Sequence, residues 1–321
     1  MPETSPIHPK VESIIAAFEA KELHASRSGR EVIDALGSVV AETSATTLDG
    51  FAPEFIQNVD ALASALQAYA PTMNVLHRLY VGYEQALEQH LPLPEFQAGI
   101  TKEVEAYIDW SQQARSRIAA IGKTIILPNS VIYTHTLSET VLQTLLEAGQ
   151  SGARYSVLVT ESRPNNDGRY TTKSLAEAGI PVEISIDACI SELIRRADLM
   201  IVGAEAILAD GSAICKVGTY PAALVARQYN VPVYVLVDSM KFYTNSLLGV
   251  GISLDPLRAA EVVDGNVSET PEVRGHLFDR TPAEYIAAVV TELGILHPSQ
   301  VAQHILTMPI SEAIVGRRQV I

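Results

Sequence analysis

The sequence is poor in the features that usually announce a chemistry. Of its 321 residues only Cys189 and Cys215 are cysteine. Two are too few for a disulfide framework or a cysteine-built zinc site, and such usage fits a reducing compartment. No GxGxxG and no GxxxxGK[ST] occurs, so the glycine-rich phosphate cradles of dinucleotide enzymes and P-loop NTPases are missing. HExxH, CxxC and GxSxG are missing too, which removes the simplest metal-hydrolase and serine-hydrolase readings. No cofactor and no metal site are expected. Basic residues number 23 against 37 acidic, a net charge of -14, which argues against nucleic acid or an anionic membrane as partner. No apolar run approaches the roughly 20 residues of a membrane span. The opening MPETSPIHPKVES holds no apolar stretch of the kind a secretory leader needs, so a cytoplasmic protein is expected.

What the chain does have is core-forming material, 47% hydrophobic residues, over a length that suits about two domains of roughly 100 to 200 residues. In residues 11–23, 29–42, 52–69, 73–90 and 96–121 apolar side chains recur at spacings of three and four, which predicts five helices. SRSG, TTLDG, Pro71 and LPLP supply the breaks. A helical domain is therefore expected over 1–120, followed by an α/β domain over 121–321 with no flexible linker between. Residues 253–274 read as irregular and acidic, and 282–293 and 298–308 as two further helices.

The densest information lies in 131–242. Five short apolar segments each end in a polar cluster: VIY in THTLS, SVLV in TESRP, VEISI in DAC, DLMIV in GAE, and VPVYVLV in DSMKF. Helix-length amphipathic stretches separate them, so the pattern predicts β-α units forming a parallel sheet with helices packed on it. All five clusters then share the edge beyond the strands' carboxyl ends, where open α/β sheets bind ligands.

Strand ends that run into helix starts offer free backbone N–H groups and a positive dipole, which suits phosphate or carboxylate. Thr134, Thr136 and Ser138 stand before one such helix, where Ser138 reads either as a ligand contact or as a plain N-cap. Arg163 is a guanidinium placed to fork onto a ligand phosphate or onto Asp187. Glu205 and Lys216 face each other across a hairpin-like ILADGSAI turn, with Gly218 giving backbone access. They read as an acid or base and a phosphate clamp, or as a structural ion pair. His135 reads as a polar residue oriented by neighbouring backbone. Lys241 reads equally as part of the fifth cluster or as a solvated surface lysine. Cys215 beside Lys216 reads as ordinary packing, with a relocated nucleophile or acid as the alternative.

THTLSETVL, VTESRP, AGIPVEISIDA, ADLMIVGAEAILADGSAICKVGTY, NVPVYVLVDSMKF and FDRTPAEYIAAVVTELGIL together resemble the family that unites the alpha, beta and delta regulatory subunits of translation initiation factor 2B with methylthioribose-1-phosphate isomerase and ribose-1,5-bisphosphate isomerase. PTM at 71–73 resembles it as well. The resemblance implies an N-terminal helical domain, a C-terminal Rossmann-like parallel sheet with helices on both faces, and a homodimer formed through the latter. It also implies a phosphorylated small molecule as ligand, and initiation-factor-type partner subunits in a eukaryotic setting.

The isomerases of this family carry a catalytic cysteine two residues after the threonine of their TH motif and an aspartate ending their GAD motif. Thr136 and Glu205 stand at the matching positions here, and Cys215 replaces the asparagine before Lys216. A hydroxyl is a far weaker acid than a thiol, and a glutamate carboxylate lies a methylene further out, so proton shuttling between two sugar carbons loses its acid and displaces its base. GAE resembles instead the alpha subunit, a non-catalytic homologue that binds sugar phosphates. Two departures cut against that likeness: Glu139 stands where the alpha subunit has a basic residue, and GTY replaces its GTN. The resemblance thus implies a regulatory binder of a phosphorylated sugar or nucleotide at Thr136, Ser138, Arg163, Glu205 and Lys216. The alternative is an aldose-ketose isomerase with an altered pair, in which Glu205 serves as catalytic base.

Overall fold

Five helices precede any strand: α1 Pro9–Glu19, α2 Ala25–Glu42, α3 Leu48–Ala65, α4 Ala70–Glu88 and α5 Leu93–Gly122. The computed structural model describes residues 6–20, 22, 25–66, 69–263 and 272–315. Within these the periodicity is realised directly. α2 buries Val32, Ile33, Leu36, Val39 and Val40, one apolar stripe of a helix whose other side faces solvent. Thr47 starts α3 by accepting from Gly50 N–H at 3.1 Å, the usual service of a threonine cap. Phe51, Phe55, Tyr80, Tyr83 and Phe96 pack in tilted, stacked and edge-to-face pairs with centroids 4.9–6.3 Å apart, geometries that aromatic quadrupoles favour.

After α5 come β1 Ser130–His135, α6 Glu139–Gln150, β2 Tyr155–Thr160, α7 Asp167–Glu177, β3 Val182–Ser185, α8 Ile190–Ile194, β4 Leu199–Val202, β5 Ala206–Ile207, β6 Ala213–Lys216, α9 Thr219–Gln228 and β7 Val233–Leu236. α10 Ala259–Val262, β8 Phe278–Thr281, β9 Ala288–Thr291, β10 Gly294–Leu296, α11 Val301–Ile305 and α12 Glu312–Val315 complete the chain. The main sheet has seven strands in the order β10-β9-β7-β4-β1-β2-β3. All its pairings are parallel except β10 with β9. The winding runs outward from β1 through β2 to β3, returns to β4, and runs outward again through β7 to β9, so its reversal lies between β1 and β4. Alternation along the strands assigns each face its partners. Ile132, Val157, Val159, Ile201, Leu236 and Val290 join Val141, Leu145 and Ala148 of α6 and Leu175 of α7 in one core. α8 packs against β2 and α9, and α9 also against β6 and β8.

Residues 282–293 form no α-helix, only a 3-10 turn at Ala283–Tyr285. Their AVVT segment is β9, fully buried and paired with β7. A four-residue apolar run buried on both faces carries no period to separate strand from helix. Of 298–308, the α-helical part is Val301–Ile305, after a 3-10 turn at Pro298–Gln300. The acidic stretch 253–274 holds α10, and its residues 264–271 lie outside the described ones. A small antiparallel sheet, β5-β6-β8, was not anticipated beyond its ILADGSAI hairpin.

The described residues group into two compact units. One takes those within Met1–Gln113, Phe242–Ile252 and Gln303–Ile321; the other takes Ala114–Lys241 and Ser253–Ala302. The sequence divides the chain once, after residue 120, whereas the units divide inside α5 and the helical one gathers two later segments. Buried polar groups of α4 explain those recruits. Asn74 Nδ2 donates to Phe242 O at 2.7 Å and its Oδ1 accepts from Thr244 Oγ1 at 2.9 Å. His77 Nδ1 accepts from Ser311 N–H at 3.1 Å, so its Nε2–H donates to Asn245 Oδ1 at 2.6 Å. Burial lowers the pKa of His77, so its neutral form is the native one. That contribution is present above the ordinary histidine value of about 6.5 and is lost as pH falls toward the depressed value. Replacing His77 with alanine strands Asn245 Oδ1 and the Ser311 amide in the interior, and is expected to cost about 2–3 kcal/mol in chemical denaturation.

Candidate functional site

In a doubly wound sheet the crevice opens where the winding reverses, beyond the carboxyl ends of the two strands involved. Thr136 follows β1 and Glu205 follows β4, so both stand at that reversal. Thr136 is 8% exposed and left-handed, φ 65°, a conformation costly for a β-branched residue. Its carbonyl accepts from Thr171 Oγ1 of α7 at 2.9 Å. Its hydroxyl donates to Asp167 Oδ2, and Lys216 Nζ reaches the same oxygen, each at 3.4 Å. Lys216 is nearly enclosed, 11% exposed, and lies 5.4 Å from the Phe278 ring centre, a cation over a π face. The candidate clamp and the threonine therefore converge on a carboxylate that sequence reasoning did not single out. Its only sequence signal is the NNDG at the start of α7.

Behind this corner runs a buried polar chain. Val217 O can only accept, so the His135 Nε2–H at 2.8 Å donates to it. Nδ1 then accepts from the Thr160 hydroxyl at 2.7 Å, which in turn accepts from Tyr133 O–H at 3.0 Å. Burial lowers the His135 pKa and keeps the ring neutral, a polar residue oriented by neighbouring backbone as expected. Gly218 is left-handed, φ 104°, and a Cβ there would sit 2.8 Å from His135 Nε2. No other residue type fits.

Gly218 does not offer its amide to a ligand. Gly218 N–H and Tyr220 N–H both donate to Asp279 Oδ2, at 2.8 and 3.0 Å, so an acid from β8 occupies the start of α9. The other Asp279 oxygen is buried without a hydrogen-bond partner. Burial raises this carboxyl to about 6 against the pull of those amides. A raised acid favours the native state while it is protonated. Its contribution is full below the unfolded value near 3.8 and is lost as pH rises through about 6. Asp279→Asn keeps the acceptor and removes the charge. The variant is expected to gain about 1–2 kcal/mol over the parent at pH 7.5, discounted for partial exposure, and to match it near pH 4. Paired melting curves at the two pH values check this.

The remaining candidates sit as follows. Ser138 caps α6, its hydroxyl accepting from Val141 N–H at 3.4 Å, and it packs against Gly203, where a Cβ would lie 2.4 Å from Ser138 Oγ. Glu139 pairs with Arg115 at 2.9 Å, so its charge is partly compensated. Arg163 is exposed. Asp187 receives the backbone amides of Ser162 and Arg163 at 2.8 and 2.7 Å, while the Arg163 guanidinium donates to Glu261 O at 3.2 Å. The side-chain salt bridge to Asp187 does not form. Glu205 is held through its backbone, whose N–H donates to Ile214 O at 2.7 Å across the hairpin, and its Oε2 is buried without a hydrogen-bond partner. Lys241 is half-buried and engaged: its Nζ donates to Ala204 O at 2.6 Å, near the half-buried Asp238, whose pKa burial raises.

Cys215 is wholly buried, and burial pushes its thiol well up, with the Asp279 and Glu205 charges adding. It is a packing residue and no relocated nucleophile. A thiolate here has no access to solvent, and burial outweighs the pull of Lys241. Among the described residues no group of three His, Cys, Asp or Glu side chains could hold a metal ion, and no helix is long and apolar enough to cross a membrane.

The sequence pattern of the initiation factor 2 subunit family matches residues 22–298. The chain belongs to that family. Members similar to it diverge in role. Ribose 1,5-bisphosphate isomerase of Archaeoglobus fulgidus is 33% identical over 205 residues, which cover 64% of this chain and 66% of that protein. Translation initiation factor eIF2B subunit alpha of Dictyostelium discoideum is 30% identical over 285 residues, covering 84% and 88%. Among solved structures, translation initiation factor eIF-2B of Pyrococcus horikoshii OT3 superposes with a TM-score of 0.75 at 25% identity, covering 91% of this chain and 98% of its own. Its named relatives thus include both initiation factor eIF2B subunits and isomerases.

Proposed function

We propose that this family member is an alpha-subunit-like regulatory protein that binds a phosphorylated sugar or nucleotide at the strand ends and does not turn it over. The observation that carries the reading is the state of the position where the isomerases keep their acid. Thr136 offers a hydroxyl already committed to Asp167, and Cys215 is sealed in the core, so Cys215 does not replace the missing thiol. Thr136, Ser138, Arg163, Glu205 and Lys216 are the residues assigned to the ligand, with Lys216 supplying the charge. The same reading makes the protein cytoplasmic and a homodimer through its α/β unit, with initiation-factor-type partner subunits where such subunits exist.

One observation favours the isomerase alternative. Glu205 Oε2 is buried with no hydrogen-bond partner, as a base awaiting a substrate proton would be. In that reading Glu205 is catalytic and Lys216 holds the phosphate. Titration calorimetry with a set of phosphopentoses and nucleoside monophosphates, run beside a turnover assay on the same compounds, separates the two. Saturable binding without conversion supports the regulatory reading. Conversion that falls with Glu205→Gln supports the other.

A further inference from the structure

Two side-chain donors at the Thr136 corner meet at one carboxylate oxygen. Thr136 Oγ1 and Lys216 Nζ both reach Asp167 Oδ2, and Lys216 is enclosed at 11% exposure while Asp167 keeps 30%. A ligand phosphate that took these two donors would have to place an oxygen where Oδ2 stands. Two anions a few ångströms apart repel strongly in a partly desolvated pocket, so the phosphate and the Asp167 carboxylate cannot share the corner. Lys216 is the cation shared by both anions there. The surrounding groups add to the repulsion, since Asp279 occupies the α9 amides and Glu205 lies on the neighbouring strand end. Carboxylates are, by contrast, good acceptors for sugar hydroxyls.

We infer that Asp167 is a specificity-determining residue of this site, competing with a ligand phosphate for Lys216 and Thr136 and so weakening phosphorylated ligands relative to neutral sugars. The inference rests on the proposed ligand reading, because it assumes that this corner faces the ligand. A phosphorylated ligand binds here only by turning the Asp167 side chain out toward solvent, and that displacement weakens it. Removing the charge while keeping the size is therefore a gain for anions.

The test is calorimetric titration of the full chain and its variants with ribose, ribose 5-phosphate and inorganic phosphate. Asp167→Asn is expected to bind ribose 5-phosphate and phosphate at least ten-fold more tightly than the parent, with ribose itself unchanged or weaker. Asp167→Glu, which keeps the charge, is expected to stay within about three-fold of the parent. Adding Lys216→Met to Asp167→Asn is expected to abolish the gain, which locates it at this corner. A parent that binds ribose 5-phosphate together with an Asp167→Asn variant of equal or lower affinity overturns the inference and leaves the ligand reading standing. Failure of the parent and every variant to bind any of the three overturns both.

Discussion

Alanine at Gly168 is expected to cost the α/β unit about 3 kcal/mol or more. A Cβ at this position would lie 1.9 Å from Thr160 O and 2.9 Å from Thr160 C. Both are backbone atoms of β2, so no rotamer change relieves the overlap. Nor can Thr160 retreat: its strand is paired with β1 and β3, and its hydroxyl is held by Tyr133 and His135. The start of α7 has to move instead, dragging Asp167 away from Thr136 and Lys216. Overpacking of this severity against main chain is among the most destabilising single changes. Gly82 serves as the control, since a Cβ there meets nothing within 4 Å. Its replacement by alanine inside α4 is expected to be neutral or to add about 0.5–1 kcal/mol. Urea unfolding of both variants checks the contrast, and a Gly168→Ala protein as stable as the parent would refute the packing described around β2.

Lys216→Met is expected to weaken the phosphorylated ligand by roughly 30-fold or more. An enclosed ammonium paired with one carboxylate contributes through charge-assisted bonds, and each such bond to a charged group is worth about 1.5–3 kcal/mol. Methionine keeps the unbranched stem and its packing on Phe278, so the fold is expected to change little. Leaving Asp167 without its cation costs something, but that acid is 30% exposed and can hydrate. Loss of affinity with an unchanged unfolding curve is the expected pattern. Equal loss of both would mean that Lys216 acts as structure.

Much of this architecture is legible in the sequence, for identifiable reasons. The five early helices and the strands from β1 to β7 that form the main sheet announce themselves because apolar period and polar strand-end clusters coincide there. β9 does not, because AVVT is buried on both faces and has no alternation to read. The hairpin after Glu205 is visible in its DG turn, where Gly211 is left-handed at φ 82° and Asp210 Oδ1 accepts from Ser212 N–H at 2.9 Å. Its third strand, β8, lies more than sixty residues away in sequence, and no local pattern links it to β6.

The site divides in the same way. Thr136, Ser138, Glu205 and Lys216 could be placed at strand ends from the sequence, since a residue's position along a β-α unit fixes the edge it occupies. What they touch could not be read. Asp167 and Asp279 come from α7 and β8 and take up the donors that a ligand was expected to use. These acids carry no motif of their own. Their importance comes from convergence in space, which sequence spacing does not encode.

The most direct measurement of the central claim is a turnover assay by NMR on the purified protein with ribose 5-phosphate, a ribose 1,5-bisphosphate and a methylthioribose 1-phosphate, with binding followed on the same samples. Saturable binding of at least one compound, and no aldose-ketose conversion of any, is the expected result. Conversion of any of them that is abolished by Glu205→Gln would contradict the account.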